Sequence, residues 1–158
     1  MKKLLIIATL ASLSLFSQAQ TQTPPGLQAY FSAIIVSSLD SSIQWYSNIL
    51  GLKVLNKTVS EERGFKHANL GGEGILLELL ELDKALPRKD ILKGYADRTY
   101  MTGLFKTGFA VTDFEKWMKH LTDNKVSFVG KVVTDQNLGK KMIIVKDPDD
   151  NLVQFFEK

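Results

Sequence analysis

Cysteine is absent from this chain of 158 residues. That excludes a disulfide framework, thiolate metal ligands and the lipid-anchored route of export, and it leaves packing as the source of stability. Histidine is nearly absent too, with His67 and His120 alone, and no HxxxH spacing of the zinc hydrolases occurs. A glycine-rich phosphate loop and a serine nucleophile motif are likewise missing. Nor are there blocks of like charge: 20 basic residues stand against 17 acidic ones, and setting Lys2 and Lys3 aside leaves 18 against 17. The sequence pI of about 9.0 therefore overstates the basicity of the rest, and no electrostatic footprint for nucleic acid or an anionic membrane is present.

One long apolar run occurs, Leu4 to Phe16, shorter than the roughly 20 residues needed to cross a bilayer. Lys2 and Lys3 before it and Ser17-Gln18-Ala19 after it give residues 1–19 the layout of a secretory signal peptide, cleaved near Ala19. The expected location is periplasmic or secreted, with no membrane association after cleavage. Residues 20–28, with their Gln, Thr and Pro, read as a disordered leader. Residues 29–158 have the size of one domain with a sizeable core.

That domain repeats itself. YFSAIIVSSLDSSIQWY and ELLE recur loosely as FKTGFAVTDFEKWMKHL and QFFE, with Ser38 and Asp113 lying 75 positions apart and Glu78 and Gln154 lying 76 apart. The first unit, residues 29–82, predicts a buried strand at Ala29–Val36 and a helix capped by Ser38 and stopped by Gly51, with Leu39, Ile43, Tyr46 and Leu50 inward. Strands at 52–59, 64–70 and 75–82 complete it, the last two joined by the glycines of GGEG. Residues 83–102 read as a linker with a short helix after Pro87. The second unit, residues 103–158, predicts a strand at 103–111 and a helix capped by Asp113, with Phe114, Trp117, Met118 and Leu121 inward. Strands at 127–133, 141–145 and 152–157 complete this unit, the last two flanking the turn Asp147-Pro148-Asp149-Asp150-Asn151. The order is βαβββ twice, an α+β chain.

Three segments, VSSLDSSIQWYSNILGLKV, VTDFEKWMKHL and KDPDDNLVQFFEK, carry a resemblance to the vicinal oxygen chelate superfamily of glyoxalases, bleomycin-resistance proteins and ring-cleaving dioxygenases. The resemblance spans about Ala29 to Lys158. It implies a cup-shaped mixed sheet made by two βαβββ modules, helices outside, a small molecule bound inside, and relatives that pair as homodimers. It also implies four metal-ligand positions, which fall here on Phe31, Glu78, Lys106 and Gln154. Phe31 has no lone pair and Lys106 brings a cation, so no metal cofactor is expected.

In that register Lys106 is expected either to pair with Glu78 or to meet solvent in the cup. Phe31, Leu76, Glu78, Lys106, Gln154 and Phe156 are the candidate ligand-binding residues; Glu78, Lys106 and His67 are the candidate catalytic ones. His67 shares a strand face with Phe65 and Asn69 and either moves protons in the cup, replaces a missing metal ligand, or is an edge or surface histidine. His120 is expected on the solvated side of its helix, and Trp45 and Tyr46 are expected to pack. Three readings stay open: an exported, metal-free binding protein; a lyase, isomerase or dioxygenase-type enzyme using Glu78 and Lys106 or a non-standard metal site; and a non-catalytic dimeric interaction module.

Overall fold

The local signals act where the chain has little choice. In the computed structural model, which describes residues 26, 28–96 and 99–158, Ser38 caps α1 (Leu39–Leu50) by accepting the Ser41 N–H, and Gly51 ends it at φ 69°. Asp113 caps α3 (Phe114–Asp123) in the same way through Lys116 N. The strands are β1 (Ser32–Ile35), β2 (Lys53–Ser60), β3 (Phe65–Gly72), β4 (Ile75–Leu82), β5 (Lys106–Val111), β6 (Ser127–Thr134), β7 (Lys141–Lys146) and β8 (Leu152–Glu157). Between the two sets lies the short helix α2 (Arg88–Ile91), behind Pro87. The β3–β4 hairpin turns on Glu73 and Gly74, both at positive φ, while Gly71 and Gly72 are still strand. The export signal expected over 1–19 lies outside the described residues, as does most of the expected leader.

Each module forms a four-stranded mixed sheet, β1-β4-β3-β2 and β5-β8-β7-β6, with the first strand parallel to its neighbour and the others antiparallel. The first strands are shorter than the sequence implied. β1 starts at Ser32 rather than Ala29 and β5 at Lys106 rather than Gly103, because parallel pairing to β4 and β8 begins only there. Nor is β1 buried on both faces: it is a sheet edge, with Phe31 and Ile35 each more than half exposed. Its apolar pattern is two-sided because Ile34 and Val36 turn to the helix while the alternate residues turn to the open cup.

One face of each sheet is sealed by a helix. Val36, Leu39, Tyr46, Leu70, Leu77 and Leu79 form the first core, and Phe114, Leu121, Val145, Val153 and Phe155 lie in the second. Burying each such side chain contributes about 1.5–3 kcal/mol. Helix α1 serves both cores: Ile49 belongs to the second, and Trp45 and Leu50 pack against each. The helices sit outside, and the opposite sheet faces make the cup.

Candidate functional site

Strand alternation decides what faces the cup. On β4, Leu77 and Leu79 are buried under α1, so Leu76, Glu78, Leu80 and Leu82 take the concave side. On β3, Ala68 and Leu70 are the buried pair and Phe65, His67 and Asn69 share the concave side. The ladder sets Asn69 opposite Glu78 and His67 opposite Leu80, so His67 and Glu78 are diagonal neighbours. Their nearest atoms, His67 Nε2 and Glu78 Oε1, lie 3.0 Å apart. The approach is off the line of a straight hydrogen bond and Nε2 is otherwise buried without a partner, so this is a close polar contact rather than an aligned bond. Phe65 stacks on the imidazole at 5.8 Å between centroids and 12° between planes. His67 is therefore on an inner strand, neither at an edge nor on the surface.

The second module offers Gln154 at the position equivalent to Glu78. It is 1% exposed, donates from Nε2 to Met142 Sδ at 2.6 Å, and leaves Oε1 buried with no partner. An unpaired buried carbonyl costs about 1–3 kcal/mol, which a donor from water or a ligand would recover. Phe156 is half-buried on the same face, opposite Met142.

Lys106 does not reach Glu78. The carboxylate meets His67 instead, and the ammonium stands exposed 5.9 Å above the ring of Phe105, of the two expected outcomes the solvent-facing one. The reason is register: the cross-strand neighbour of Glu78 is Ala33 and that of Gln154 is Gly108, each two residues beyond the positions counted from the helix caps. Lys106 lines a cleft of about 270 Å³ between the edge strands β1 and β5, with Ala33, Phe105 and Leu152. Phe31 lies just before β1, exposed, edge-on to Tyr30. None of Leu76, Glu78, His67, Gln154 or Phe156 lines the clefts of about 680, 340 and 270 Å³, the second of which lies between α1 and α3.

Two residues read as packing and turn in fact lock the modules together. Tyr46 Oη donates to Asp147 Oδ2 at 2.9 Å, and both are almost fully buried. Asp147 also accepts from the N–H groups of Asp149 and Asn151 and from Asn151 Nδ2, so both its oxygens are satisfied. Burial pushes the Asp147 carboxyl above its ordinary value, with those hydrogen bonds pulling the other way. Burial and then the charge of Asp147 push the Tyr46 phenol up. Ser37 adds a second tie through its N–H (3.0 Å) and hydroxyl to Asp149. A buried tyrosine needs a partner for its hydroxyl, and that requirement was the available signal. His120 is the third tie and a correction: it is half-buried, its Nε2 3.1 Å from the Ile49 carbonyl at the end of α1. Its helix position reads as solvated only until a second helix is placed against it.

The fold's metal does not suit these residues. A phenyl ring, a carboxylate, an ammonium and a carboxamide occupy the four expected positions, and Ala33 and Gly108, the neighbours in register, carry no donor. Among the described residues no three His, Asp or Glu side chains converge as a metal site would require.

Comparison with curated proteins returns no match. Solved structures are similar in fold. A glyoxalase family protein from Enterococcus faecalis superposes with a TM-score of 0.70 at 22% identity, covering 82% of this chain and 97% of that one. The trypanothione-dependent glyoxalase I of Leishmania major gives 0.60 at 23% identity over 84% and 87%. A glyoxalase I mutant from Zea mays gives 0.62 at 18% identity over 82% of this chain and 44% of that longer one. The family model for the glyoxalase/bleomycin resistance protein/dioxygenase superfamily matches residues 28–155, and with the duplicated βαβββ cup already in place, this chain belongs to that superfamily.

Proposed function

We propose that this protein is exported and binds a small organic molecule in its cup without the superfamily's divalent metal. The observation that supports it is the set of polar groups fixed among apolar side chains on the concave face: Glu78, His67 and Asn69 in one sheet and the unpartnered Gln154 Oε1, at the place equivalent to Glu78, in the other. Apolar walls with a few fixed polar groups are the composition of small-molecule sites. Leu76, Phe156 and Phe31 would supply apolar contact, and Lys106 a cation at the mouth. A second copy of the chain is the partner this reading includes, because Val54, Leu55 and Val59 on β2 and Val129, Val132 and Val133 on β6 are exposed apolar side chains that a homodimer would cover.

The test is elemental analysis and native mass spectrometry of the purified protein before and after manganese, iron, zinc and nickel, with thermal melts in chelator. The expected result is no stoichiometric ion, an unchanged melting temperature and a carried-over organic mass. About one tight ion per chain, with a chelator-induced loss of stability reversed by that ion, would sink the metal-free reading.

The His67–Glu78 contact favours a second reading, proton abstraction next to a carbonyl, with the pair rather than Glu78 and Lys106 moving the proton. Under it Glu78→Gln abolishes turnover of a substrate found by screening while the fold is retained; retained turnover excludes that role.

A further inference from the structure

The cleft of about 680 Å³ lies at the rim of the cup, and its walls come from three distant parts of the chain. They are the ends of β1 and β4, the linker carrying α2, and the β7–β8 turn. Its volume is within the roughly 300–1,000 Å³ of small-molecule sites. The apolar lining includes Ile35, Leu86, Ile91 and Met101, all of which stay exposed.

The charged lining is mostly spoken for. Glu81 accepts from Leu39 N and Lys66 Nζ, both at 2.6 Å. Asp149 holds Ser37, and Asp150 pairs with Lys146 at 2.8 Å. Asp83 is exposed to water. Two cations also line it, Arg88 and Lys89, and among the described residues neither has a carboxylate at ion-pair distance; Lys89 is exposed, whereas Arg88 is half-buried. A half-buried arginine beside an apolar wall favours a planar oxyanion, which its guanidinium fork can hold with two parallel hydrogen bonds.

We propose that this cleft is a second ligand site, separate from the cup floor, that takes a small monocarboxylate with an aryl or alkyl body. Arg88 holds the carboxylate, and Leu86, Ile91 and Met101 cover the body. The linker between the modules is then a binding element rather than a mere connection.

The probes are 4-phenylbutyrate, its alcohol 4-phenylbutanol and its amine 4-phenylbutylamine, titrated into the isotope-labelled protein and followed by amide NMR. The acid is expected to bind about tenfold or more tightly than the alcohol. It should shift amides in 35–37, 81–91 and 149–151 while those of 67, 78 and 154 stay in place. Arg88→Gln should erase the preference for the acid, and Ile91→Asp should weaken acid and alcohol together. Equal binding of acid and alcohol, tighter binding of the amine, an unaltered preference in Arg88→Gln, or no binding of any probe at its solubility limit would each overturn the proposal. Shifts confined to 67, 78 and 154 would also overturn it while supporting the cup as the binding site, so the two readings fail separately.

Discussion

Tyr46→Phe removes one oxygen and one hydrogen bond. The ring, 1% exposed in the first core, keeps its packing, and the lost contact is the 2.9 Å bond to Asp147 Oδ2. A bond to an ionised acceptor contributes about 1.5–3 kcal/mol. Asp147 Oδ2 retains Asn151 Nδ2 at 2.9 Å, so the carboxylate is not orphaned and the loss belongs in the lower half of that range, about 1.5–2 kcal/mol. For a domain of this size that is roughly 3–8 °C in melting temperature. Equilibrium urea unfolding, read from the fluorescence of Trp45 and Trp117, measures it directly. The pH dependence has a definite sign. The folded Asp147 carboxyl titrates above its unfolded value, so its contribution is fully present at low pH and declines as pH rises through the folded value. Removing the phenol takes away a donor that favours the ionised form, so the penalty of the substitution should be larger at neutral pH than where Asp147 is protonated. A loss under about 0.5 kcal/mol at neutral pH with an unchanged denaturant slope would refute the view that this bond joins the modules.

Glu81 has the opposite sign: the Leu39 N–H at the start of α1, and then Lys66, hold its carboxyl below the ordinary value of 4.5. Its stabilisation is therefore present above that value and lost as pH falls through the folded one, so Glu81→Gln should cost about 1 kcal/mol at neutral pH and flatten the acid limb of the stability curve. His120→Ala should cost about 1 kcal/mol by removing the bond to Ile49 O, measurable by the same urea titration, whereas a solvated histidine would cost nothing. The two hairpin glycines should separate: Gly74→Ala, at φ 77°, should lose about 1 kcal/mol, whereas Gly71→Ala should stay within about 0.5 kcal/mol. The new methyl at Gly71 would meet the Leu55 side chain at 2.8 Å, but that side chain is 60% exposed and free to swing away, and thermal melts of the pair would show the contrast.

The features legible in the sequence are local ones. The order βαβββ in each half, the caps at Ser38 and Asp113, the stop at Gly51 and the turns at Gly74 and Asp147 all depend on residues a few positions apart, whose backbone preferences act before any partner arrives, and the duplication is that local pattern recurring 75 positions on. The superfamily was legible as a resemblance carried by three segments, VSSLDSSIQWYSNILGLKV, VTDFEKWMKHL and KDPDDNLVQFFEK, in that order. Where β1 and β5 begin could not, because the extent of a strand depends on the neighbour it pairs with. Packing in three dimensions also set Glu78 against His67 rather than Lys106, because a shift of two residues along a strand keeps the face but changes the partner. It turned His120, Tyr46 and Asp147 into ties between modules, since each contact joins residues more than 70 positions apart. Such pairings leave no trace in local periodicity; they exist only once the two sheets and their helices have been packed against each other.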